Sequence, residues 1–270
     1  DHINAWNPCI ADGEITATNP CSEFIWLPDS TCNLLCLNLL ACLSGPALDL
    51  PTLQHLVRLT TTVLDITVSM ASYPSAAVAE GAYKYRTLGL GYANLGALLM
   101  RCGLPYDSEK GRALAAGITA LIHLQALAQS TELAAHLAPF PRYADNKKGV
   151  QRVIGQHLAL ARGEDPEDVL HPPLPLTRVL LPDSLRDAID GLVTQVEFGL
   201  QGHGLRNAQV TLIMPAGTVG LLMDCDTTGV EPDFALVKWK KLAGGGYMKL
   251  VNQSVRPSLL RLGYTQGQVD

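Results

Sequence analysis

A carboxamide, a thiol and a carboxylate alternate in one short stretch of the sequence. Asn19, Cys21 and Glu23 occupy every second position around Pro20. In an extended segment such positions face the same side, so these side chains are predicted to line one wall of a site. The amide would form hydrogen bonds, the thiol would exchange a hydrogen atom or an electron, and the carboxylate would act as a general base. The simpler alternative is a buried cysteine beside a proline turn, because free cysteine is among the most buried residue types.

Composition restricts the classes of protein to which the chain can belong. Its 270 residues fit one large domain or two small ones, and 47% are hydrophobic. A formal net charge of −5 argues against a nucleic-acid-binding surface. The sequence has no uninterrupted apolar run of about eighteen residues and no signal-peptide core, so no membrane span is predicted. The seven cysteines show neither a CxxC pair nor zinc spacing, which predicts no metal site and favours the reducing cytoplasm.

The pattern along the chain alternates short strands with long helices, which indicates an α/β sheet or barrel. Strands are predicted over 14–18, 86–91 and 208–214, and the apolar run 34–43 is either a buried strand or a short helix. Helices are predicted over about 49–72, 94–101, 107–137, 146–162 and 183–202, and from about 257 onward. A polar, proline-rich loop is predicted over 163–175. Gly89 and Gly91 favour close backbone packing over a dinucleotide site, because the third glycine position of that fingerprint is Asn94.

A loop of small residues follows the last predicted strand and is a candidate anion site. It consists of Pro215, Ala216, Gly217, Thr218 and Val219. Small side chains let backbone N–H groups approach an anion, and Thr218 adds a hydroxyl donor. A phosphate group is therefore a natural ligand, with a plain strand-to-helix turn as the alternative.

Several segments, in a shared order, resemble ribonucleotide reductases. The stretch 14–23, with 27–28 and 32–34, resembles the active-site finger loop of that family, most closely in its adenosylcobalamin-dependent class. The segments 86–91, 206–208, 215–220, 229–232 and 242–247 resemble later family segments in the same order. The resemblance implies an α/β fold that is the C-terminal half of a ten-stranded α/β barrel with a central finger loop and long flanking helices. The finger loop would span about 14–33, the helical region about 50–203, and the phosphate-loop strand with the C-terminal segment about 206–270.

The resemblance also implies a role for each residue of the candidate site. Cys21 matches the thiol that becomes a thiyl radical and abstracts the 3′ hydrogen of a ribonucleotide. Glu23 matches the base for the 3′-hydroxyl proton, and Asn19 matches the amide that holds the substrate hydroxyls. Cys32 matches one of two cysteines that reduce the 2′ position and become a disulfide. The loop 215–219 matches the substrate phosphate site, for a diphosphate or a triphosphate, and adenosylcobalamin would supply the radical.

Two departures from the family pattern affect the expected site, and the resemblance implies partners. Ser22 stands where many family members carry glycine, and Ala216 stands where threonine is common.

The N-terminal half of the barrel, with the partner of Cys32, is expected either before residue 1 or on a separate chain. A thioredoxin-type reductant is the further partner, and neither nucleic acid nor membrane is expected. Alone, the chain is expected to be inactive. The alternatives are an accessory barrel fragment that only binds a partner chain or nucleotide, and an unrelated thiol-dependent transferase.

Overall fold

The computed structural model describes residues 2–45, 47–167, 169 and 171–270, and these form a mixture of α-helices and short strands. The helices are α1 (His2–Ala5), α2 (Leu50–Met70), α3 (Ala76–Tyr85), α4 (Leu95–Arg101), α5 (Glu109–Leu137), α6 (Tyr143–Arg162), α7 (Asp183–His203), α8 (Gly217–Leu222), α9 (Val255–Arg261) and α10 (Gln266–Val269). The strands are β1 (Asn33–Asn38), β2 (Leu43–Ser44), β3 (Ala47–Leu48), β4 (Leu88–Ala93), β5 (Val237–Lys241) and β6 (Tyr247–Val251). Short 3₁₀-helices lie at Leu39–Cys42 and Arg178–Leu180.

Two compact units make up the chain. Unit 1 comprises residues 1–35, 50–91 and 113–212, and unit 2 comprises residues 36–49, 92–112 and 213–270. Strand β1 pairs with β4, β2 pairs antiparallel with β3, and β5 pairs antiparallel with β6. In the β5–β6 hairpin, Lys238 lies opposite Leu250 and Lys240 lies opposite Met248.

The predicted helices are all present, because each combines an apolar face with suitable termini. Helices α2, α4, α5, α6, α7 and α9 correspond to the six predicted segments within a few residues at each end. The apolar run 34–43 was predicted as either a strand or a short helix and forms both in succession, since β1 ends at Asn38 and a 3₁₀-helix follows. The Asn38 side chain accepts a hydrogen bond from the Leu40 amide and so caps that 3₁₀-helix. The described part of 163–175 is irregular, as predicted.

Two of the predicted strands are wrong. In 14–18 only Thr18 is paired, through an isolated antiparallel bridge to Ile25. In 208–214 only Thr211 forms a bridge, in parallel to Leu90. The second stretch is nevertheless joined to β4, because the Leu88 and Leu90 amides donate to the carbonyls of residues 209 and 210 and the Leu212 amide donates to the Leu90 carbonyl. These bonds amount to a single bridge and not to a continuous strand. Strand propensity describes fit to a pleated surface and does not supply the neighbouring strand.

Unit 1 is held internally by a buried arginine. Arg86 is 2% exposed, and its Nε donates to Asp65 Oδ1 at 2.9 Å while Nη2 donates to the Asp65 carbonyl at 2.7 Å. Asn207 Nδ2 also donates to Asp65 Oδ1, at 2.8 Å. Removing one partner of such a buried pair leaves an uncompensated charge. Two of the matched segments, 86–91 and 206–208, thus contribute to the core of this unit.

Helix α5 is the central apolar helix of unit 1. By length and composition alone it is long and apolar enough to cross a membrane. Within its most apolar stretch, 67% of the residues are buried inside the chain. Burial of this extent is also typical of the core helix of a folded domain, so the length and composition of α5 are weak grounds for a membrane span.

Candidate active site

Cys21 lies in a tight turn. The Ser22 amide donates to the Asn19 carbonyl at 3.0 Å, and the Asn19 amide donates to the Phe24 carbonyl at 3.2 Å. Pro20 follows Asn19 at the position where its fixed φ favours a turn. The Asn19 side-chain oxygen accepts the Phe24 amide at 3.1 Å, which closes the turn from inside. The Cys21 thiol is exposed.

The prediction that Asn19, Cys21 and Glu23 share one wall of an extended segment is therefore wrong in its geometry. The alternation rule requires extended backbone, and the backbone reverses direction at Pro20 and Cys21. The turn instead exposes Cys21 while Asn19 and Glu23 are partly buried. The alternative of a buried cysteine beside a proline turn is also wrong, because the turn is present but the thiol is exposed.

The backbone conformation of Ser22 explains why glycine is suited to this position of the turn. Its φ is +62°, in the left-handed region that costs a residue with a Cβ roughly 1 kcal/mol. Glycine adopts this conformation without that penalty. The Thr18 hydroxyl, which lies 3.2 Å from the Ser22 hydroxyl, gives the serine a local partner that glycine lacks.

Glu23 and Cys32 form the partly buried side of the candidate site. Within the described residues, Glu23 Oε2 is buried and accepts no hydrogen bond. Cys32 is partly buried, and burial together with the nearby Glu23 carboxylate raises the pKa of its thiol to about 12. A buried carboxylate oxygen without a donor retains its capacity to accept a proton. The Glu23 carboxylate is thus near enough to Cys32 to influence the pKa of its thiol, and Oε2 of Glu23 accepts no hydrogen bond from the described residues.

Hydrogen bonds on both sides of Cys32 fix its position. The Thr87 hydroxyl donates to the Thr31 carbonyl at 2.5 Å, and Asn33 Nδ2 donates to the Thr67 hydroxyl at 2.8 Å. Both bonds join neighbours of Cys32 to other elements of unit 1. The thiol is therefore placed by flanking backbone and side chains that belong to β1, α2 and the segment before β4.

An aromatic pair fixes the segment between Cys21 and Cys32. Trp26 is 6% exposed, and its ring meets that of Tyr85 edge to face at a centroid distance of 5.9 Å. The Tyr85 hydroxyl donates to Asp12 Oδ2 at 3.1 Å. Rigid aromatic packing of this kind positions a loop at little cost in conformational entropy. Sequence reasoning assigned no role to Trp26, although an aromatic residue so close to a reactive turn was a usable signal.

The candidate phosphate loop lies in unit 2. Ala216 has φ +52° and is 5% exposed, and Gly217 and Thr218 are exposed. The first intrahelical bond of α8 runs from the Gly220 amide to the Ala216 carbonyl at 3.0 Å. The preceding amides of a helix have no intrahelical acceptor, which leaves those of Gly217 and Thr218 free to bind an anion. Pro215 and Val219 flank this exposed pair.

Close backbone packing supports this loop. A Cβ on Gly229 would lie 2.6 Å from the Met214 carbonyl oxygen, and φ at this glycine is +47°. A Cβ on Gly96 would lie 2.7 Å from the Glu231 carbonyl oxygen. The glycines are therefore needed where the 229–232 segment meets Met214 on one side and α4 on the other.

A cavity of about 630 Å³ opens beside the loop. Gly217 and Thr218 are among its lining residues, as are Lys240 and Met248 of the β5–β6 hairpin. A volume of this order suits a small organic ligand. Neither strand of the hairpin was predicted from the sequence.

Comparison with known proteins decides the family. The sequence matches the ribonucleotide reductase barrel domain over residues 1–270. The chain belongs to this family. It is 47% identical over 273 residues to the vitamin B12-dependent ribonucleotide reductase of Agrobacterium fabrum, covering 99% of this chain and 21% of that protein. It is 48% identical to that of Bradyrhizobium diazoefficiens and 40% identical to that of Rhodopirellula baltica, again over 99% of this chain. These two relatives are covered over 22% and 25% of their length, so the chain spans about a fifth to a quarter of the relatives it matches.

The ribonucleotide reductase barrel domain also contains a histidine pair that does not belong to the predicted site. His123 Nε2 lies 2.7 Å from His157 Nδ1, and His123 Nδ1 lies 2.7 Å from the Thr211 hydroxyl. Trp6 stacks on His157 at a centroid distance of 5.4 Å. Both ring nitrogens of His123 therefore have a partner within hydrogen-bonding distance. In the part of the chain that the structure describes, no group of three or more His, Cys, Asp or Glu residues is arranged to hold a metal.

The histidine pair predicts a loss of stability in acid. Desolvation lowers the pKa of His157 from 6.5 to about 4, and desolvation together with the neighbouring His157 holds the pKa of His123 well below its usual value. The unfolded chain binds these protons first, so the stabilisation is complete above about pH 6.5 and is lost as the pH falls toward 4. Each histidine contributes up to about 1.4 kcal/mol per pH unit over this range.

Urea unfolding at pH 7.5 and pH 4.5 measures this effect. His157→Phe keeps an aromatic ring against Trp6 and removes one titrating group, so its stability should depend less steeply on pH than that of the wild type. His136→Gln alters an exposed histidine on α5 and should keep the wild-type dependence. If the free energy of unfolding depended equally on pH in the wild type and in His157→Phe, the histidine pair would not be the source of the pH dependence.

Proposed function

We propose that this chain supplies the catalytic residues of a vitamin B12-dependent ribonucleotide reductase, which converts ribonucleotides to deoxyribonucleotides. The observation that supports the proposal is the difference in solvent exposure among the residues of the candidate site. Cys21 is exposed on a tight turn, while Glu23 and Cys32 lie partly buried beside each other. Radical chemistry needs an accessible sulfur, and reduction of the substrate needs a proton acceptor and a protected thiol. The alternative of an accessory fragment gains no support, because every matched catalytic residue type is present.

Each residue has a step in the proposed reaction. A thiyl radical on Cys21 takes the hydrogen atom from C3′ of the ribose, which restores the thiol and leaves a substrate radical. Glu23 accepts the 3′-hydroxyl proton at Oε2, and Asn19 Nδ2 donates to a substrate hydroxyl. The 2′-hydroxyl leaves as water after gaining a proton. Cys32 and a second cysteine supply two electrons and two protons and become a disulfide, and Cys21 returns its hydrogen atom to C3′.

The cofactor requires a reachable sulfur on this chain. Because the relatives are named vitamin B12-dependent, we propose that adenosylcobalamin, when bound, supplies the radical. The turn 19–22 fits this requirement, because Cys21 is exposed at its tip and makes no hydrogen bond to the described residues. The residues of this turn would face the cofactor. Their task is to present the sulfur and to keep Glu23 and Cys32 out of bulk water.

The finer architecture and the partners belong to the same proposal. The turn 19–22 is the tip of a finger loop inside a ten-stranded α/β barrel, and the loop 215–219 binds the substrate phosphates. The rest of the barrel comes from further polypeptide, in cis or as a separate chain, and it supplies the second cysteine. A thioredoxin-type protein re-reduces the disulfide. The thiols require a reducing compartment such as the cytoplasm.

Reconstitution tests the proposal. We define the complete reductase as this chain together with the polypeptide that supplies the remaining barrel. With adenosylcobalamin, a dithiol and a ribonucleotide, it should form deoxyribonucleotide. Omission of the cobalamin should stop the reaction. Undiminished product without cobalamin would reject the cofactor assignment, and a lack of product with all components present would reject the activity.

A further inference from the structure

The cavity of unit 2 has a cationic wall that the phosphate loop itself lacks. Strand β5 contributes Lys238 and Lys240 to the lining, and their cross-strand partners Leu250 and Met248 line it as well. Alternate residues of a strand share a face, and directly opposed residues of an antiparallel pair share it too. These four side chains therefore share one face of the hairpin, and Trp239, Lys241 and Val251 also line the cavity.

The two lysines of this face differ in their partners. Lys238 Nζ donates to Asp233 Oδ1 and to the Asp226 carbonyl, both at 2.7 Å, and its side chain is 17% exposed. Lys240 is exposed, and its ammonium group forms neither an ion pair nor a hydrogen bond with any described residue. Lys238 therefore connects the hairpin to the segment that contains Asp226 and Asp233, whereas the ammonium group of Lys240 is available to bind a ligand.

None of the acidic residues of the lining forms an ion pair with Lys240 among the described residues. Asp226 accepts from the Gln253 amide at 2.7 Å and from the Ser254 hydroxyl at 2.5 Å. Asp233 accepts from Lys238 and from Asn252 Nδ2, the latter at 2.5 Å. Asp224 lines the cavity and is exposed. Two of the three lining carboxylates are thus occupied within the protein.

We propose that Lys240 is a phosphate-binding residue of the nucleotide site, acting across the cavity from the amides of Gly217 and Thr218. This inference rests on the proposed function and identifies a side chain that the loop motif does not contain. A backbone anion site binds phosphate through amide dipoles, and a lysine adds a full positive charge on a flexible stem. The cavity volume of about 630 Å³ accommodates the phosphate-bearing part of a nucleotide beside both groups.

The test compares two lysines of one hairpin in the complete reductase. Lys240→Gln removes a charge from the cavity lining, while Lys249→Gln removes a charge from the same hairpin at a residue that does not line the cavity. Lys240→Gln should raise KM for ribonucleoside diphosphate or triphosphate about tenfold and change kcat less than twofold. Lys249→Gln should leave both constants at the wild-type value. A KM within twofold of the wild type in Lys240→Gln would overturn the proposal.

Equilibrium binding separates this inference from the proposed function and identifies the source of the phosphate. Titration with ribonucleotide and with the corresponding ribonucleoside should show a Lys240→Gln defect only for the phosphorylated ligand. An equal defect for both ligands would indicate a structural effect and overturn the inference. Adenosylcobalamin also carries a phosphate, so a loss of cobalamin affinity with unchanged nucleotide affinity would overturn it too. These binding results do not depend on turnover, so failure of the radical chemistry would leave them interpretable.

Discussion

Replacing Cys21 with alanine should reduce deoxyribonucleotide formation by the complete reductase to background, a loss of more than about a thousandfold. The thiol is the one group of the turn able to exchange a hydrogen atom with a sugar carbon, and residues acting as a unit lose nearly all activity when one is removed. Cys21→Ser should be equally inactive, because an O–H bond is stronger than an S–H bond. Product formation at saturating cobalamin and ribonucleotide measures the effect.

The fold should survive these substitutions. Cys21 is exposed and forms no hydrogen bond with the described residues, so the temperature of unfolding should stay near that of the wild type. Cys102→Ala is the matched control, since it removes a partly buried thiol outside the candidate site and should retain turnover. The absorbance change on adding cobalamin reports cofactor binding separately. Turnover that persists in Cys21→Ala would reject the thiyl assignment.

Glu23→Gln should lower kcat by about 10² to 10⁴, the usual range for loss of a general acid–base group. Glutamine has nearly the same shape, but its amide does not accept the 3′-hydroxyl proton. Oε2 of Glu23 is buried and without a hydrogen-bond donor among the described residues, so the substitution removes an acceptor that nothing nearby replaces. Single-turnover rates of deoxyribonucleotide formation measure the change without the re-reduction step.

A second measurement on this variant does not depend on turnover. The Glu23 carboxylate contributes to the raised pKa of Cys32, so its removal should lower that pKa from about 12 and speed alkylation of Cys32 at mildly alkaline pH. Glu14→Gln provides the control, because Glu14 is an exposed carboxylate earlier in the same segment. Unchanged Cys32 reactivity in Glu23→Gln would show that the two groups are not coupled.

The helices were predictable because their information is local. The apolar face of α2 and the end of α6 at the left-handed Gly163 are both determined by residues that are close together in the sequence. The predictions of continuous strands over 14–18 and 208–214 failed because the extent of pairing is set by long-range packing. Thr18 pairs only with Ile25, and the stretch 208–214 pairs with β4 only around Leu90. The β5–β6 hairpin was missed, although Gly244, Gly245 and Gly246 mark its turn and apolar residues of β6 lie opposite the lysines of β5.

The sequence by itself determined the family and the chemical types in the site. Asn19, Cys21, Glu23 and Cys32 were predicted as site residues from their order along the chain and from the accompanying segments, which requires no knowledge of coordinates. The tertiary structure decided how exposed each group is. A turn, not an extended wall, carries Cys21, and packing around Thr31 and Asn33 leaves Cys32 beside the Glu23 carboxylate. Exposure and proximity depend on residues distant in sequence, so the spacing of the motif could not reveal them.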